Sequence, residues 1–437
     1  MSLPLSRRSA MKAAAGFAAP FVFRKHLHAK PSETVLHASF GASGMALADI
    51  NALTASPNLR LVAVADVDLA RTAEVRRRFP QARIYQDWRE LLDRERDINS
   101  ANISTPDHMH GSITMRCLQR GLNVYTQKPL TQTIHEARQV ARVARDRGVV
   151  SQMGIQNHSH AVHRSVVATI QAGAIGKVRE VHSWSNKTWG DAQPRPDRTD
   201  PIPDQLAWDQ WLGVGPARPF LRDYYHPGNW RKRVDFGTGT FGDMGCHILD
   251  PVFDSLALTA PRSVRSTGGA DNADNWGVNC QVQFLFPGTR YTDDTFTLNW
   301  YDGNRRPPLA LRAQIADRPF SDQGSLYIGD NGVLLSPYIA APALFPAERF
   351  ADYRIPQMPG QNHYLQYVEA IRGNGSTSAP FSYSGPLTES VLLGTLSTRF
   401  PNELLTWDSP TLRITDNEPA TRAVRRQPRR GWEVEGL

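Results

Sequence analysis

Lys128, Asp243 and His247 give this 437-residue chain an amine, a carboxylate and an imidazole in settings that could handle a proton. Lys128 lies in Tyr125-Thr126-Gln127-Lys128-Pro129-Leu130. Imidazole titrates near neutral pH and suits proton transfer. Asp243 and His247 are four residues apart and Asp250 follows three later, so a helix there would put all three on one face. Taken alone, that pair reads as a helix N-cap and a core histidine. A second set of residues points to phosphate. Gly41-Ala42-Ser43-Gly44-Met45-Ala46 is a degenerate G-x-G-x-x-G/A turn, with Ser43 at the second glycine and Ala46 at the third. Small residues let backbone approach a pyrophosphate, and a helix starting there offers N–H donors.

The flanking elements position these groups. Thr34–Phe40 is an apolar run ending at Gly41, and helical spacing follows from Met45 to Ala55. Leu61–Ala65 reads as a second strand ending at Asp66, and Leu69–Phe79 as a second helix. Further strands are predicted at Ala101–Ser104, Asn123–Tyr125 and Val149–Gln152, with helices at about 109–120 and 133–147. Such alternation implies a doubly wound parallel sheet, a Rossmann domain over 31–154. Ligands of such sheets lie at the carboxyl ends of the strands. Ser104-Thr105-Pro106-Asp107-His108-Met109-His110 and the Lys128 segment both follow strands, so both face the cofactor, with Lys128 beside the nicotinamide. Asp66 sits where a carboxylate accepts both adenosine ribose hydroxyls and repels a 2′-phosphate. NAD is therefore favoured over NADP. Asp68 adds to that repulsion, while Arg71 could oppose it.

Residues 155–437 read differently. Val178–Trp184 alternates as a strand, and candidates follow at 278–286, 292–300, 309–315 and 325–328, without intervening helices. That pattern predicts a large, mainly antiparallel open sheet for substrate binding and oligomerisation. Helical patterns recur at 241–257, 361–372 and 386–399.

Composition narrows the classes. Hydrophobic residues make up 40% and charged residues 21%, as in a globular protein rather than a disordered or fibrous one. No apolar run approaches the roughly 18–20 residues of a membrane span. Three cysteines cannot build a disulfide framework. The net charge of +8 is concentrated at the start: residues 1–30 carry Arg7, Arg8, Lys12, Arg24, Lys25 and Lys30 and no acid. Without them 44 basic residues face 42 acidic ones, a balance of +2 that argues against nucleic-acid binding. Ser6-Arg7-Arg8-Ser9 followed by the mildly apolar Ala13–Phe23 reads as a twin-arginine export signal over 1–29 and implies a periplasmic location. If the signal does not function, the protein is cytoplasmic. His108 and His110 lack partners at a metal-ligand spacing.

The motifs Gly41–Ala46, Ser104–His110, Gln127-Lys128-Pro129, Gln152-Met153-Gly154-Ile155-Gln156 and Gly237–Asp250 together resemble the Gfo/Idh/MocA family of NAD(P)-dependent oxidoreductases. The similarity runs from about Thr34 to Trp432. It implies hydride transfer between a nicotinamide and a sugar or cyclitol hydroxyl, with Lys128, Asp243 and His247 around the reacting carbon. It places Gly41, Ser43, Gly44, Met45, Asp66, Ser104, Thr105, Pro106, His110, Gln127, Lys128 and Gln156 at the cofactor. The family usually has Glu-Lys-Pro where this chain has Gln127-Lys128-Pro129, so one carboxylate near the lysine is missing. Oxidising a secondary alcohol needs a base for its proton and a donor for the developing oxygen charge. His247 suits the first role, Lys128 could share it, and Asp243 could orient either group.

The region opening the second domain holds Trp184, Trp189, Trp208, Trp211, Tyr224 and Trp230. Aromatic faces stack on pyranose rings, and Arg or His binds the hydroxyls. Tyr225, His226 and Arg231 are the expected substrate contacts, beside Lys128, Asp243 and His247. Some relatives are NAD-dependent glycoside hydrolases, which oxidise the ring, eliminate, add water and reduce again; that is the alternative to net oxidation. A third reading is a silent sugar-binding protein that retains NAD. The family's habits imply a homodimer or homotetramer.

Overall fold

The computed structural model describes residues 34–269, 272–315 and 318–437; the expected export signal lies outside the described residues. The first half alternates as expected: β1 (Val35–Phe40), α1 (Met45–Thr54), β2 (Leu59–Ala65), α2 (Ala73–Arg78), β3 (Arg83–Tyr85), α3 (Trp88–Arg94), β4 (Ser100–Ile103), α4 (Asp107–Gln119), β5 (Asn123–Thr126), α5 (Ile134–Arg147) and β6 (Ser151–Met153). All six strands pair in parallel in the order β3-β2-β1-β4-β5-β6. Five of the six β1 residues are buried, because helices cover both faces of the sheet. The order reverses between β1 and β4, where a doubly wound sheet opens a crevice.

The second half contains α6 (Ala161–Gln171), β7 (Val178–Ser185), α7 (Trp208–Leu212), α8 (Gly239–Ile248), α9 (Asp250–Leu256), β8 (Ser263–Thr267), β9 (Gln281–Pro287), β10 (Thr292–Asp302), α10 (Leu309–Arg312), β11 (Gln323–Gly329), β12 (Val333–Pro337), β13 (Ala343–Phe345), α11 (His363–Ile371), α12 (Phe381–Ser397), β14 (Leu404–Asp408), β15 (Arg413–Ile414) and α13 (Glu418–Ala423). Its nine strands run β13-β12-β11-β7-β10-β9-β8-β14-β15, antiparallel except for the β7–β10 pair. One face packs on helices: Phe241 of α8 stacks on Trp300 of β10, with ring centroids 4.7 Å apart. That contact turns the other side of α8, with Asp243 and His247, toward the first sheet.

Two expectations are corrected. Residues 309–315 are not a strand: they form α10 and a 3₁₀ turn over Ala313–Ile315. Pro308 presets the helix entry, and Leu311 folds back onto the outer sheet face beside Trp184 and Leu326. The helix predicted over 241–257 is two helices, because Pro251 lacks the N–H that would continue α8. α12 begins at Phe381, five residues before the expected start, and accommodates Pro386 in its interior. The short β3 and the strands β8 and β12–β15 carry weak local signals.

The end of the chain reaches back to its start. Tyr367 of α11 hydrogen-bonds Ser100 of β4 at 2.9 Å, and Tyr125 of β5 stacks on Tyr364 with centroids 5.4 Å apart. Arg138 of α5 pairs with Glu389 of α12 through two contacts of 2.6 Å. Among the described residues no helix is long and apolar enough to cross a membrane.

Candidate active site

A cleft of about 310 Å³ opens at the carboxyl ends of β1, β2, β4 and β5. It is lined by Gly41, Ser43, Gly44, Met45, Asp66, Ser104, Thr105, Pro106, His110, Gln127 and Lys128, which are the expected cofactor residues except Gln156. Gly41 has φ 110°, and a Cβ there would lie 2.9 Å from the Ser104 carbonyl oxygen, so the close β1–β4 approach requires glycine. Gly44 precedes α1 and no side chain caps its first turn. A glycine cradle, an uncapped helix start and an acid at the end of β2 fit a dinucleotide. Asp66 accepts the Ala42 and Asp68 N–H groups at 2.9 and 3.0 Å, and burial raises its pKa. Arg71 donates to Ser43 Oγ at 2.7 Å, which puts a cation at the phosphate turn. Asp68 spends its carboxylate on His226 (2.8 Å) and the Ala70 N–H (3.1 Å).

At the inner end the two halves of the chain meet. Lys128, two residues after β5, forms an ion pair with Asp243 of α8, and its Nζ lies 3.3 Å from the Asp243 carbonyl. Arg231 sits 3.1 Å from Asp243 and 3.5 Å from Asp107, which also accepts from Thr238 at 2.7 Å. Two partly exposed cations thus face two buried carboxylates, the balance that interior charges require. Burial alone would raise the Asp243 pKa; Lys128 and Arg231 outweigh it and hold the acid well below the usual carboxylate range. His247 stands one turn along α8. Burial first, then the Lys128 charge, pushes its pKa down to about 3, so the ring is neutral at physiological pH. Its Nδ1 is buried and has no hydrogen-bond partner. The ring lies 6.1 Å from that of Tyr338, whose hydroxyl accepts from Asn157 at 2.6 Å. Lys128 and Arg231 line the cleft, whereas Asp243 and His247 do not; the site therefore holds a paired amine at the cleft wall, with its carboxylate partner and a neutral imidazole beside it on α8.

Other predicted positions fall elsewhere. Tyr225 is 2% exposed, packed in an aromatic core with Trp208, Trp211 and Phe236, and does not line the cleft. His226 lines the cleft at Asp68, the ribose end, rather than beside Lys128. Arg231 lines it at the Lys128 end. His110 sits between the Pro129 and Thr105 carbonyls, each 2.8 Å from a ring nitrogen; burial favours its neutral form, whose one N–H is given to one of these carbonyls, so it offers no free donor. Gln156 opens a 3₁₀ turn after β6, outside the cleft lining. Asp250 leaves the Asp243–His247 face, because α9 starts a new axis; it accepts from His158 (2.8 Å) and Tyr383 (2.6 Å).

Sequence reasoning missed Tyr338, Asn157 and Asp49, and put Asp107 in the cofactor-facing loop without giving it a role. Tyr338 and Asn157 carry no local signal, since only the fold brings them to His247. Asp49 does carry one: it falls on the buried stripe Ala46, Asp49, Ile50 and Leu53 of α1, where a lone acid is out of place. Part of the aromatic region that opens the second domain lies along the end of β2. Ala207 N–H donates to Val67, Leu69 N–H to the Gln205 carbonyl, and Gln210, Trp211, Pro227 and Trp230 roof the cleft. Among the described residues no cluster of three or more His, Cys, Asp or Glu side chains could hold a metal ion.

Residues 37–155 match an oxidoreductase family described by its NAD-binding Rossmann fold, and residues 170–290 match the C-terminal alpha/beta domain of the same family. The levoglucosan dehydrogenase of Pseudarthrobacter phenanthrenivorans is 24% identical over 227 residues, 50% of each chain. The 2,7-anhydro-N-acetylneuraminate hydratase of Mediterraneibacter gnavus is 30% identical over 105 residues, 24% of this chain and 27% of that one. The chain thus spans about half the length of the first curated relative it matches, and less of the second. Among solved structures, the WlbA dehydrogenase of Bordetella pertussis, in complex with NADH and UDP-GlcNAcA, covers 86% of this chain and 99% of its own at a TM-score of 0.60 and 14% identity, a likeness of fold. Both sheets, the glycine cradle and the two family matches agree: the chain belongs to the Gfo/Idh/MocA family of oxidoreductases.

Proposed function

We propose that this protein is an NAD-dependent oxidoreductase that moves hydride between a secondary hydroxyl of a sugar or cyclitol and a tightly held cofactor. The observation that carries this reading is the Lys128–Asp243 pair, which joins the carboxyl end of β5 to α8 at the inner end of the nucleotide cleft. NAD, when bound, supplies the hydride acceptor. The Lys128 ammonium, held by Asp243, donates to the substrate oxygen and stabilises the charge that develops there. His247, one turn along α8 from Asp243, presents a neutral imidazole and takes the hydroxyl proton. Once protonated, that ring is stabilised by the Asp243 and Asp250 charges. Arg231, between Asp107 and Asp243, sets the edge of the substrate position. A sugar and cyclitol panel with NAD tests the reading: absence of nicotinamide reduction and of ketone product throughout would sink it.

A second reading, net glycoside hydrolysis by ring oxidation, elimination, water addition and re-reduction, draws support from the roof over the cleft, which favours a retained cofactor, and from the hydratase relative. An aryl-glycoside assay in D₂O separates the two, since elimination alone puts solvent deuterium on the product ring. We further propose export through the Arg7-Arg8 segment, tested by fractionation of a tagged chain. Self-association is proposed through the outer sheet face. There Glu180, Gln283, Leu285, Asn299, Arg265 and Leu404 share one side by register, and Leu285 and Leu404 are 37% and 57% exposed. Light scattering that returns a monomer refutes it.

A further inference from the structure

Asp49 is an acid in the wrong place for a surface helix. Its side chain is fully buried, on the stripe of α1 that faces the first sheet. Three neutral donors converge on it: the Ser104 hydroxyl at 2.7 Å, the Gln127 amide nitrogen at 3.0 and 3.1 Å from its two oxygens, and the Tyr364 hydroxyl at 3.1 Å. Ser104 directly follows β4 and Gln127 directly follows β5, and both line the nucleotide cleft. A carboxylate only accepts, so it fixes the direction of every donor around it. Gln127 must point its NH₂ at Asp49, which leaves its carbonyl oxygen to accept the Lys128 N–H at 3.3 Å. Ser104 must donate to Asp49, which leaves its oxygen to accept from Asn102 at 2.8 Å. The amide of Gln127 is also wedged against Gly154, where a Cβ would come within 2.7 Å of its nitrogen.

We propose that Asp49 is a positioning residue of the site: acting through Gln127 and Ser104, it sets the cleft surface that receives the nicotinamide end of the nucleotide and the backbone from which Lys128 springs. This rests on the reading of the cleft as the NAD site. The charge near Lys128 has not been lost with Gln127; it stands one side chain deeper, on α1. Burial pushes the Asp49 pKa up to about 6 against the pull of its three donors, so the carboxylate is mostly ionised at neutral pH. An acceptor-only group under two donor residues also predicts which swap is tolerated. Gln127→Glu alone sets two carboxylates about 3 Å apart, where both cannot stay ionised. Asp49→Asn alone turns an amide NH₂ toward other donors. Together, the two changes restore one acceptor and one donor with their places exchanged.

The test uses the full chain and NADH as the probe, with affinity read by calorimetry and folding by thermal melting. Asp49→Asn and Gln127→Glu are each expected to weaken NADH binding by about tenfold or more, and Asp49→Asn/Gln127→Glu to return within about threefold of the native protein. A simple packing role would instead make the double variant at least as poor as the worse single. Should Asp49→Asn fail to fold, Gln127→Glu against the double variant decides alone: the double variant must bind at least about tenfold more tightly. Single variants that bind like the native chain, or a double variant no better than Gln127→Glu, overturn the inference while leaving the NAD site intact. A native chain that binds no NADH overturns the site itself.

Discussion

The buried pair His158–Asp250 makes a prediction that can be worked through in numbers. His158 lies 2.8 Å from Asp250, and the two side chains are 14% and 2% exposed. Burial alone pulls the imidazole pKa down, but the Asp250 charge and hydrogen bond outweigh it and lift the value from 6.5 to about 8. That difference corresponds to about 2 kcal/mol, and so little of the pair is exposed that solvent screening trims it only slightly. Because the folded-state value lies above the unfolded one, this stabilisation is fully present below pH 6.5 and is lost as the pH rises through about 8. The apparent melting temperature should therefore fall by a few degrees across that window. NMR titration of isotope-labelled histidine reads the ring directly. In Asp250→Asn the main partner charge is gone and burial, the largest influence on the ring, is opposed chiefly by the weaker Asp254 charge, so His158 should titrate below 6.5 and the stability slope in that window should vanish. Native His158 titrating at or below 6.5, or an Asp250→Asn variant with His158 still near 8, would refute the reasoning.

Other perturbations separate the parts of the site. Lys128→Met removes the donor at the substrate oxygen and should cut sugar oxidation by roughly 10²- to 10⁴-fold in single-turnover assays; unchanged turnover would remove Lys128 from the mechanism. Asp66→Ala should weaken NAD binding by about 1–3 kcal/mol and narrow the preference over NADP, read by paired titrations with both nucleotides. His226→Ala breaks the contact between the roof segment and Asp68, so bound NADH should dissociate several-fold faster in a stopped-flow chase, with the sugar KM little changed; an unaltered off-rate assigns retention elsewhere.

The fold was legible where a signal was local and periodic. β1, β2, β4 and β5 are short apolar runs that stop at turn residues, and once their order is known the carboxyl-end rule brings Gly41, Asp66, Ser104 and Lys128 to one cleft. Lys128 and Asp243 lie 115 residues apart, and only resemblance linked them before the fold did. What stayed hidden depends on tertiary packing. Tyr225, read as a substrate contact, packs with Trp208 and Trp211 in a core, the role that each tryptophan taken singly already suggested, because so many large rings cannot all reach a ligand. Pro251 was visible, but the spacing around it favoured one helix over two. His110 shows the limit of a motif: its place in the loop was right, while its ring is held between the Thr105 and Pro129 carbonyls, one of which takes its N–H.

The return of α11 and α12 to the first sheet bears on how such a chain can be cut or recombined. Tyr367 seals Ser100, Tyr364 reaches Asp49, His363 holds the Met153 carbonyl at 2.9 Å, and the described residues pack as one unit. A fragment ending after β6 would bare Tyr125 and strand Asp49 without its phenolic donor, so the nucleotide half is not a portable module. Grafting a different second half onto it would have to replace those tyrosines as well as the sugar-facing residues, and exchange between relatives should keep the terminal helices with the first sheet.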